Sequence, residues 1–378
     1  MHVLVASDFE LGSHRAHAIN VVKTAGGMRR RGHEVTVLCR EPADVAAHEA
    51  LVQPYDEPGL TWQTVPVDAA DGDQGPRRER AFAQALVDRL DGVDLVYARH
   101  FRAGLAAAQR GVPTALETHA YVGDANPALQ AAIEATRGPL RCLVTISDVL
   151  AQHYVSRGAD AARVAVVPDG VDVARFRAPD DGAIGACPFP RTLRQHVLYA
   201  GHLYDYKGIP TVLAAARRMP DVGFELLGGA PEDIARQRAA SQDLPNVRVH
   251  GLVPHRDVPR WLWHADALLL PPSAREPSAG WTSPVKLGEY LASARPIVAS
   301  AIPGLQAWVD ERCVTWFAPD DALDLTIALR EALGEQRERR ATRVAAATSL
   351  AGEFDYRNRA ARILAGVDAS TPTASPLY

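Results

Sequence analysis

Short apolar segments alternate with longer Ala-, Leu- and Arg-rich segments along the chain, and this alternation limits the fold more than any other feature of the sequence. The apolar segments of the amino-terminal half show little polar alternation, which is typical of parallel strands that helices cover on both faces. Strands are predicted at 2–7, 34–39, 95–97, 114–117, 143–146 and 164–167, with helices at 16–31, 78–90, 102–110 and 148–157. The pattern predicts a doubly wound α/β domain.

A second series of the same kind follows residues 178–195, which are rich in Gly, Pro and Asp and are predicted to form an interdomain linker. Its strands are predicted at 196–200, 224–227, 247–250, 267–270, 296–299 and 314–317, and its helices at 209–218, 232–240, 284–294 and 322–332. We therefore predict an α/β fold with two Rossmann-like domains, 1–177 and 196–355, and an interdomain cleft at the carboxyl ends of both sheets. Residues 367–378 have little to pack and are predicted to be disordered.

Charge and cysteine spacing exclude several classes of partner. The 378 residues include 41 Lys and Arg and 45 Asp and Glu, so no global positive field would hold the chain on nucleic acid. The four cysteines are too far apart for a CxxC zinc or redox site, and no apolar stretch approaches the ~20 residues of a membrane span. We expect reduced thiols, a cytoplasmic location and no nucleic-acid partner. Peripheral membrane association is not indicated.

The segment 201–208 (GHLYDYKG) stands between a predicted strand and a predicted helix. Glycines at such a turn let backbone N–H groups approach an anion, and the amino end of the helix adds partial positive charge. Lys207 would add a full charge and His202 a second donor. The segment therefore predicts a phosphate site, with solvated Lys207 and purely conformational glycines as the alternative.

A second helix start is equally well marked. Ser283 is a favoured N-cap and Pro284 a favoured first helical residue, which leaves the amides of Val285 and Lys286 free for an anion. Glu289 lies on the same helix face as Lys286 and is predicted to point toward the cleft. A carboxylate there can accept two hydrogen bonds from a ribose diol. The alternative is a Lys–Glu pair on a solvated helix.

Several segments stand in the order and spacing of glycosyltransferase family 4, and this resemblance covers nearly the whole chain. They are 18–37, 167–172, 197–208, 226–229, 246–251, 265–271 and 283–300. Residues 356–366 also resemble the terminal helix of that family, which crosses back to the amino-terminal domain. The resemblance implies the GT-B fold and retaining transfer of a sugar from a nucleotide sugar, most often a UDP-sugar, to a hydroxyl of a small molecule, glycan or lipid-linked acceptor.

The resemblance also implies roles for single residues. It gives Lys207 to the donor diphosphate, Glu289 to the ribose and His119 to the donor sugar, so that His119 and Lys207 are the predicted catalytic residues. The remaining predicted donor contacts are Gly12, His202, Thr282, Ser283, Pro284 and Val285. His119 also follows a predicted strand at its carboxyl end, where α/β folds bind ligands. The alternative for His119 is a structural histidine held by loop backbone.

Two positions depart from the family pattern. His202 stands where many members have Arg, and histidine titrates near neutrality whereas arginine does not. Trp281 stands where the family has a second Glu, eight residues before the ribose one, and the nearby Glu276 is out of register. We expect the sugar contacts of that missing Glu to come from Thr282 or from backbone amides.

Acceptor contacts are expected from the loops that follow the first and fourth predicted strands, because such loops vary over a fixed scaffold. The predicted acceptor residues are His14, His17, Tyr121 and Asp124. Residues 71–73 (DGD) match a metal-binding DxD, but they lie in a polar stretch and are predicted to form a loop. We therefore expect no metal and no cofactor beyond the nucleotide-sugar co-substrate.

Two other functions remain open at this point. One is a different GT-B activity, such as nucleotide-sugar epimerisation or transfer to a non-hydroxyl nucleophile. The other is a catalytically silent partner that binds a nucleotide sugar. A hydride-transferring Rossmann oxidoreductase is disfavoured, because neither predicted domain has GxGxxG after its first strand.

Overall fold

The computed structural model describes residues 1–13, 15–42, 48–66, 75–119, 121, 123, 127–179, 183–283 and 285–368. These residues form two compact units, Met1–Gly170 together with the chain from Asp355 onward, and Val171–Phe354. Four positions or segments named above lie outside the described residues: His14, Asp124, Pro284 and the DGD motif at 71–73. Most of the predicted tail, 369–378, also lies outside them.

The strands in chain order are β1 (His2–Glu10), β2 (Glu34–Arg40), β3 (Thr61–Val65), β4 (Leu95–Ala98), β5 (Thr114–Thr118), β6 (Cys142–Thr145), β7 (Val164–Val166), β8 (Gln195–Ala200), β9 (Val222–Leu227), β10 (Val247–Gly251), β11 (Ala267–Leu270), β12 (Ile297–Ser300) and β13 (Thr315–Phe317). The α-helices are α1 (Ala16–Arg29), α2 (His48–Val52), α3 (Pro76–Val87), α4 (Phe101–Gln109), α5 (Pro127–Thr136), α6 (Asp148–Ser156), α7 (Val173–Phe176), α8 (Ile209–Arg218), α9 (Pro231–Ala240), α10 (Val258–His264), α11 (Val285–Ala292), α12 (Pro303–Gln306), α13 (Ala322–Gly334), α14 (Arg337–Ala351) and α15 (Tyr356–Val367).

The first unit is built on a parallel sheet with the strand order β3-β2-β1-β4-β5-β6-β7. Apolar clusters cover both faces of this sheet, so β4, β5 and β6 are buried along their whole length. Helix α15 packs on α1 within this unit. Their contact needs a glycine at position 27, because a Cβ there would lie 2.3 Å from the carbonyl oxygen of Tyr356.

The second unit has a parallel sheet in the order β10-β9-β8-β11-β12-β13. This order reverses direction between β8 and β11, as in dinucleotide-binding folds, which place ligands at the carboxyl ends of such strands. Apolar clusters again lie on both faces. Gly288 brings α11 close to Val171, whose Cβ would be 2.9 Å from a Cβ at position 288. The two sheets confirm the predicted pair of Rossmann-like α/β domains.

The boundaries between the two units, after Gly170 and after Phe354, differ from the predicted boundaries after residues 177 and 355. Val171 already belongs to the second unit, because its N–H donates to the carbonyl of Phe354 (2.8 Å) and its side chain joins the second core. The described part of the predicted linker has no helix or strand before Gln195, but it packs on the second unit. Phe189 is only 3 % exposed there and joins the core cluster of that unit.

Two further observations bear on location. Cys39, Cys142, Cys187 and Cys313 are all unpaired thiols. Across the described ranges, no helix has both the length and the apolar composition that crossing a bilayer requires.

Candidate functional site

In each unit, the segments that follow the central strands gather at one edge of a parallel sheet. In the first unit these are the Gly12 loop after β1, Arg99 after β4 and His119 after β5, and β1, β4 and β5 are neighbours. In the second unit the segment 201–208 follows β8, which lies beside β11. Because α/β sheets bind ligands at this edge, each of the two edges is a candidate binding site.

The segment after β8 forms a short 3₁₀ helix, Asp205–Lys207, and Gly208 then begins α8. Gly208 has φ of 83°, and a Cβ there would lie 1.7 Å from the carbonyl oxygen of Pro271. Only glycine fits this position. Glycine has no side chain that could cap the helix, so the N–H groups in the first turn of α8 receive no cap from Gly208. These N–H groups follow Lys207 directly in the chain, and the combination favours the binding of an anion.

Lys207 is paired with a carboxylate. Its Nζ lies 3.0 Å from Oε2 and 3.1 Å from Oε1 of Glu276, and 5.0 Å from the centre of the Tyr206 ring. Ser278 donates to Glu276 Oε1 at 2.8 Å. From the sequence, Glu276 was judged out of register with the second Glu of the family pattern. In the structure, the 3₁₀ helix Pro277–Gly280 lies between Glu276 and α11. The structure therefore places a carboxylate beside the predicted diphosphate lysine.

His202 is exposed and lies on the same segment. Its ring stacks on Tyr204 at a centroid distance of 5.1 Å with an interplanar angle of 8°, and Tyr204 in turn contacts Tyr206 at 5.2 Å. The Tyr199 hydroxyl donates to the backbone carbonyl of His202 at 2.5 Å. The segment thus combines a lysine, a helix amino end and an aromatic row on one edge of the sheet.

Glu289 is buried rather than open to solvent. Only 2 % of its side chain is exposed, and its two oxygens are engaged by His255 Nε2 (2.8 Å) and Lys286 Nζ (2.8 Å). Burial opposes ionisation, but the charges of Lys286 and His255 outweigh it and hold the pKa of Glu289 at about 2. The Lys–Glu pair of the alternative interpretation is present, but it is buried rather than solvated. Each oxygen of Glu289 keeps capacity for a further hydrogen bond.

His255 is a site residue that sequence analysis missed. It lies in a 3₁₀ helix, His255–Asp257, that follows β10, while Glu289 lies in the second turn of α11. The two residues are 34 positions apart in the sequence. No local spacing signal joins them, and only their position in the segments that follow β10 and β11 could have suggested it.

The segment before α11 is less open to a donor than predicted. The amides of Trp281 and Thr282 both donate to the carbonyl of Ser278, at 3.0 and 2.9 Å, so these two backbone groups are already used. Ser283 is buried, and α11 begins at Val285. These two amides are thus used within the turn, and the expected sugar contact from Thr282 or from other backbone amides stays a prediction.

His119 directly follows β5 and is held by a side chain rather than by loop backbone. Its Nε2 donates to Oε1 of Glu117 at 2.5 Å and lies 3.8 Å from Oδ1 of Asp169. Asn20 donates to Asp169 Oδ1 at 2.7 Å. The ring is thereby fixed in orientation while part of it stays exposed. Sequence analysis identified His119, but it did not identify the carboxylate that positions it.

Arg359 of α15 pairs with Glu117 in the core of the first unit. Both side chains are almost completely buried, and the guanidinium also donates to Thr24 Oγ1 (2.9 Å), to the carbonyl of Val167 (3.0 Å) and to the carbonyl of Pro168. The Tyr97 hydroxyl donates to Glu117 at 2.5 Å. Burial disfavours the carboxylate, but Arg359 and His119 lower the pKa of Glu117 far below its ordinary range.

Glu117, His119 and Asp169 bring three potential metal-ligand atoms within 4.8 Å of one another. Their hydrogen bonds show another use for these atoms. Both oxygens of Glu117 accept bonds from Arg359, Tyr97 or His119, and Asp169 accepts the Asn20 amide. The donor set is that of a charge-paired hydrogen-bond network, in which the buried guanidinium supplies the positive charge.

The predicted acceptor residues within the described ranges lie at the same edge. His17, in the first turn of α1, is half-buried; burial, Arg99 and Arg15 lower its pKa to about 4, and His119 contributes to this shift. Tyr121 is 38 % exposed, and its ring contacts His153 at 4.2 Å. Gly12 has φ of 90°, a conformation that favours glycine.

A cavity of about 420 Å³ lies at the other edge of the second sheet. Its lining includes Asp266 and Arg295, which immediately precede β11 and β12. This is the amino end of the strands, away from Lys207 and Glu289, so the cavity is not part of the candidate site.

Two family models match the chain. The model described as Glycosyltransferase Family 4 matches residues 19–175, and the model described as Glycosyl transferases group 1 matches residues 194–335. Together they cover parts of both units. The N-terminal match confirms the resemblance stated from the sequence.

Curated relatives are similar over part of their length. A glycogen synthase of Mycobacterium tuberculosis is 27 % identical over 224 residues, 57 % of this chain and 50 % of the relative. A D-inositol 3-phosphate glycosyltransferase of Mycobacterium bovis is 29 % identical over 331 residues, 78 % of this chain and 66 % of the relative. The chain thus spans less than two thirds of the length of these curated relatives.

Solved structures share the fold. Anabaena HepE in complex with UDP superposes with a TM-score of 0.73 at 16 % identity, covering 98 % of this chain and 100 % of that one. Sucrose-phosphate synthase of Thermosynechococcus elongatus gives 0.72 at 18 % identity, with the same coverage. The two parallel sheets and the two family matches together show that the chain belongs to the GT-B glycosyltransferases, with a family 4 domain joined to a group 1 domain.

Proposed function

We propose that this chain transfers a glycosyl group from a nucleotide sugar, in particular a UDP-sugar, to an acceptor hydroxyl with retention of configuration and without a metal ion. The observation that carries the proposal lies in the second unit. There, Lys207 precedes the uncapped amino end of α8, and Glu289 lies on α11 near the carboxyl ends of the same sheet. HepE, which has the same fold, has been solved with UDP and with UDP-glucose.

Lys207 and the first-turn amides of α8 would stabilise the diphosphate as it leaves. Charge develops on the departing phosphate oxygen in the transition state, and fixed donors of this kind stabilise it without reorganisation. In this role the lysine supplies the positive charge that a divalent cation supplies in other transferases. Glu276 would hold Lys207 in place and accept hydrogen bonds from hydroxyl groups of the donor sugar.

The carboxylates of the described site are engaged, which supports attack on the same face as the leaving group. Glu117 is paired with Arg359, Glu276 with Lys207, and Glu289 with Lys286 and His255. We therefore assign no covalent nucleophile. The acceptor hydroxyl would form the new glycosidic bond as the bond to the diphosphate breaks, and its proton would pass to the departing phosphate oxygen.

His119 would orient the donor sugar from the first unit. Glu117 fixes its ring, so that the imidazole presents one nitrogen to the network and the other edge to the site. In the second unit, Glu289 would accept a hydrogen bond from a ribose hydroxyl with its remaining lone pairs. The unpaired thiols support a reducing compartment, so we propose a cytoplasmic location.

The proposal is tested with a panel of nucleotide sugars. We expect one donor to bind and to be transferred or slowly hydrolysed, and Lys207→Ala to weaken its binding by about tenfold to a hundredfold, the value of a lost charge-assisted contact. Arg217→Ala is the matched control, because Arg217 lies at the other end of α8 in an exposed pair with Asp243.

The same panel separates the alternatives. A change in the stereochemistry of the donor sugar would indicate an epimerase, and binding without conversion would indicate a silent partner. For the mechanism, activity is measured after exhaustive chelation and the fresh product is analysed by NMR. Turnover that is lost on chelation and restored by magnesium or manganese, or an inverted anomer, would refute the proposed mechanism.

A further inference from the structure

Arg99 is held at the binding edge of the first unit by backbone and side-chain contacts. It directly follows β4, and its N–H donates to the carbonyl of Ala6 in β1 at 2.9 Å. Its Nη1 reaches the carbonyl of His17 in the first turn of α1 at 3.4 Å. The guanidinium is thus fixed at the junction of β1, β4 and α1, and it is only partly buried.

Arg15 supplies a second positive charge that, like that of Arg99, acts on His17. It is the N-cap residue of α1, is exposed, and its side chain makes no capping hydrogen bond. The first turn of α1 contains no acidic residue. Arginine is a poor choice at this position, because the amino end of a helix already carries partial positive charge and normally attracts an acidic or hydroxyl side chain.

Neither guanidinium forms an ion pair with a described carboxylate, and the buried Glu117, on which the charge of Arg99 acts, is itself paired with Arg359. No carboxylate oxygen of a described residue lies within 4.0 Å of the guanidinium of Arg15 or Arg99. Asp8, the acidic group whose charge reaches His17, is already bound by Arg40 at 2.6 Å and by Arg78 at 3.2 Å. The carboxylates of Asp8 and Glu117 are therefore already engaged by other arginines.

We propose that Arg99 and Arg15 bind an anionic group, a phosphate or a carboxylate, on the acceptor substrate. This inference rests on the proposed function, since it specifies the acceptor of that transfer. A guanidinium presents parallel N–H donors that match the oxygens of both groups, and such charge-assisted pairs are among the strongest hydrogen bonds in proteins.

The proposed anion site uses other residues than the proposed diphosphate site. Lys207 and the amino end of α8 belong to the second unit, whereas Arg99 and Arg15 belong to the first. The charges of both arginines act on His17 and help to lower its pKa, which leaves the ring neutral at pH 7. A neutral imidazole there can bind an acceptor hydroxyl, so that charge recognition is left to the arginines.

The first experiment compares acceptors that differ only in the anionic group, such as glucose, glucose 6-phosphate and glucuronate, or glycerol and glycerol 3-phosphate. We expect transfer to the charged member of a pair to exceed transfer to the neutral member by at least tenfold in kcat/KM. Arg99→Gln should remove that preference while leaving donor affinity unchanged. The phosphate and carboxylate members show which of the two groups is recognised.

Arg110→Gln is the matched control, because Arg110 is exposed on the same unit at the carboxyl end of α4, before β5 begins. Equal use of charged and neutral acceptors by an enzyme that binds its donor would overturn this inference and leave the proposed function standing. If Arg99→Gln weakens donor binding as much as acceptor use, the arginine contacts the donor and the inference is also overturned.

A second experiment does not depend on finding an active acceptor. Inorganic phosphate is titrated into the full chain by ³¹P NMR, using wild type, Arg99→Gln, Arg110→Gln and Lys207→Gln. We expect Arg99→Gln, in which Lys207 is intact, to bind phosphate about tenfold to hundredfold more weakly than wild type. Phosphate binding that only Lys207→Gln weakens, or no binding at all, would contradict an anion site in the first unit.

Discussion

Replacing Glu117 with Gln tests the buried network behind His119. Gln has nearly the same shape as Glu, so the change removes charge and leaves packing almost intact. The guanidinium of Arg359 would then stay buried without a counter-charge, and its acceptors would be the new amide oxygen, the hydroxyls of Thr24 and Tyr97 and the carbonyls of Val167 and Pro168. Breaking a buried ion pair from one side typically costs 3–5 kcal/mol. Because these neutral acceptors remain, we expect the lower end, about 3 kcal/mol.

The double variant separates the pair energy from other effects. With Arg359→Met added, no charge is left unpaired between the two positions. We therefore expect Glu117→Gln/Arg359→Met to lose less stability than the sum of the single variants, with a coupling of about 2 kcal/mol or more. Additive losses would show that the two charges do not depend on each other.

Hydrogen exchange with mass spectrometry localises the effect. A loss of about 3 kcal/mol speeds exchange by roughly 150-fold where opening controls the rate. We expect this in peptides from β5 and α15, whereas peptides from β9 in the second unit should keep their wild-type rates. Glu134→Gln, which alters an exposed carboxylate of α5, is the control. Acceleration of less than about fivefold in Glu117→Gln would refute the reasoning.

The same residue predicts a pH dependence. The folded pKa of Glu117 lies below its unfolded value, so its contribution to stability is present above the unfolded value of about 4.3 and is lost as the pH falls toward the folded pKa. Wild type should therefore lose stability on acidification below about pH 4.3. Glu117→Gln should lack this part of the loss, and a parallel loss in both proteins would contradict the assignment.

Three further predictions concern other residues. Gly208→Ala places a Cβ against a backbone carbonyl and at a positive φ. We expect urea denaturation to show a loss of about 2 kcal/mol or more in stability, of which roughly 1–2 kcal/mol comes from φ alone. A loss below about 1 kcal/mol would contradict the geometry. Glu276→Gln should lower kcat/KM for the donor about tenfold while UDP binds as well or better, because it removes a negative charge beside Lys207; unchanged turnover would argue against its role. The folded pKa of His17 is about 4, below its unfolded value, so stability falls as the pH drops from 6.5. Between pH 7 and pH 5, His17→Asn should therefore lose about 1 kcal/mol less of its free energy of unfolding than wild type. Equal losses would show that His17 does not titrate in this way.

Much of the fold was predictable because hydrophobic periodicity is a local property. The buried strands β1, β2, β4 and β8 each contain a short run of apolar residues, and their predicted bounds agree with the structure to within a few residues. The edge strand β3 was missed, because its residues alternate between exposed and partly buried positions and are mostly polar. Helix α5 was missed as well, although Asn126 and Pro127 form a favoured N-cap and first-residue pair at its start.

The candidate site was predictable only in part. Local signals identified Lys207, Glu289 and His119, because a glycine turn, a helix start and a strand end each leave a mark in a few consecutive residues. The contact between Glu276 and Lys207 was not predicted, because the 3₁₀ turn that follows Glu276 leaves no mark in the spacing of the sequence.

Sequence by itself determined the two α/β series, the glycine turn before α8 and the start of α11, since each depends on neighbours along the chain. Only the tertiary structure decided what holds the site residues. Glu117 meets Arg359 across 242 positions, Lys207 meets Glu276 across 69, and Glu289 meets His255 across 34. Ion pairs of this kind form between charges that folding brings together, and no periodic pattern in the sequence records which distant partner a buried charge will find.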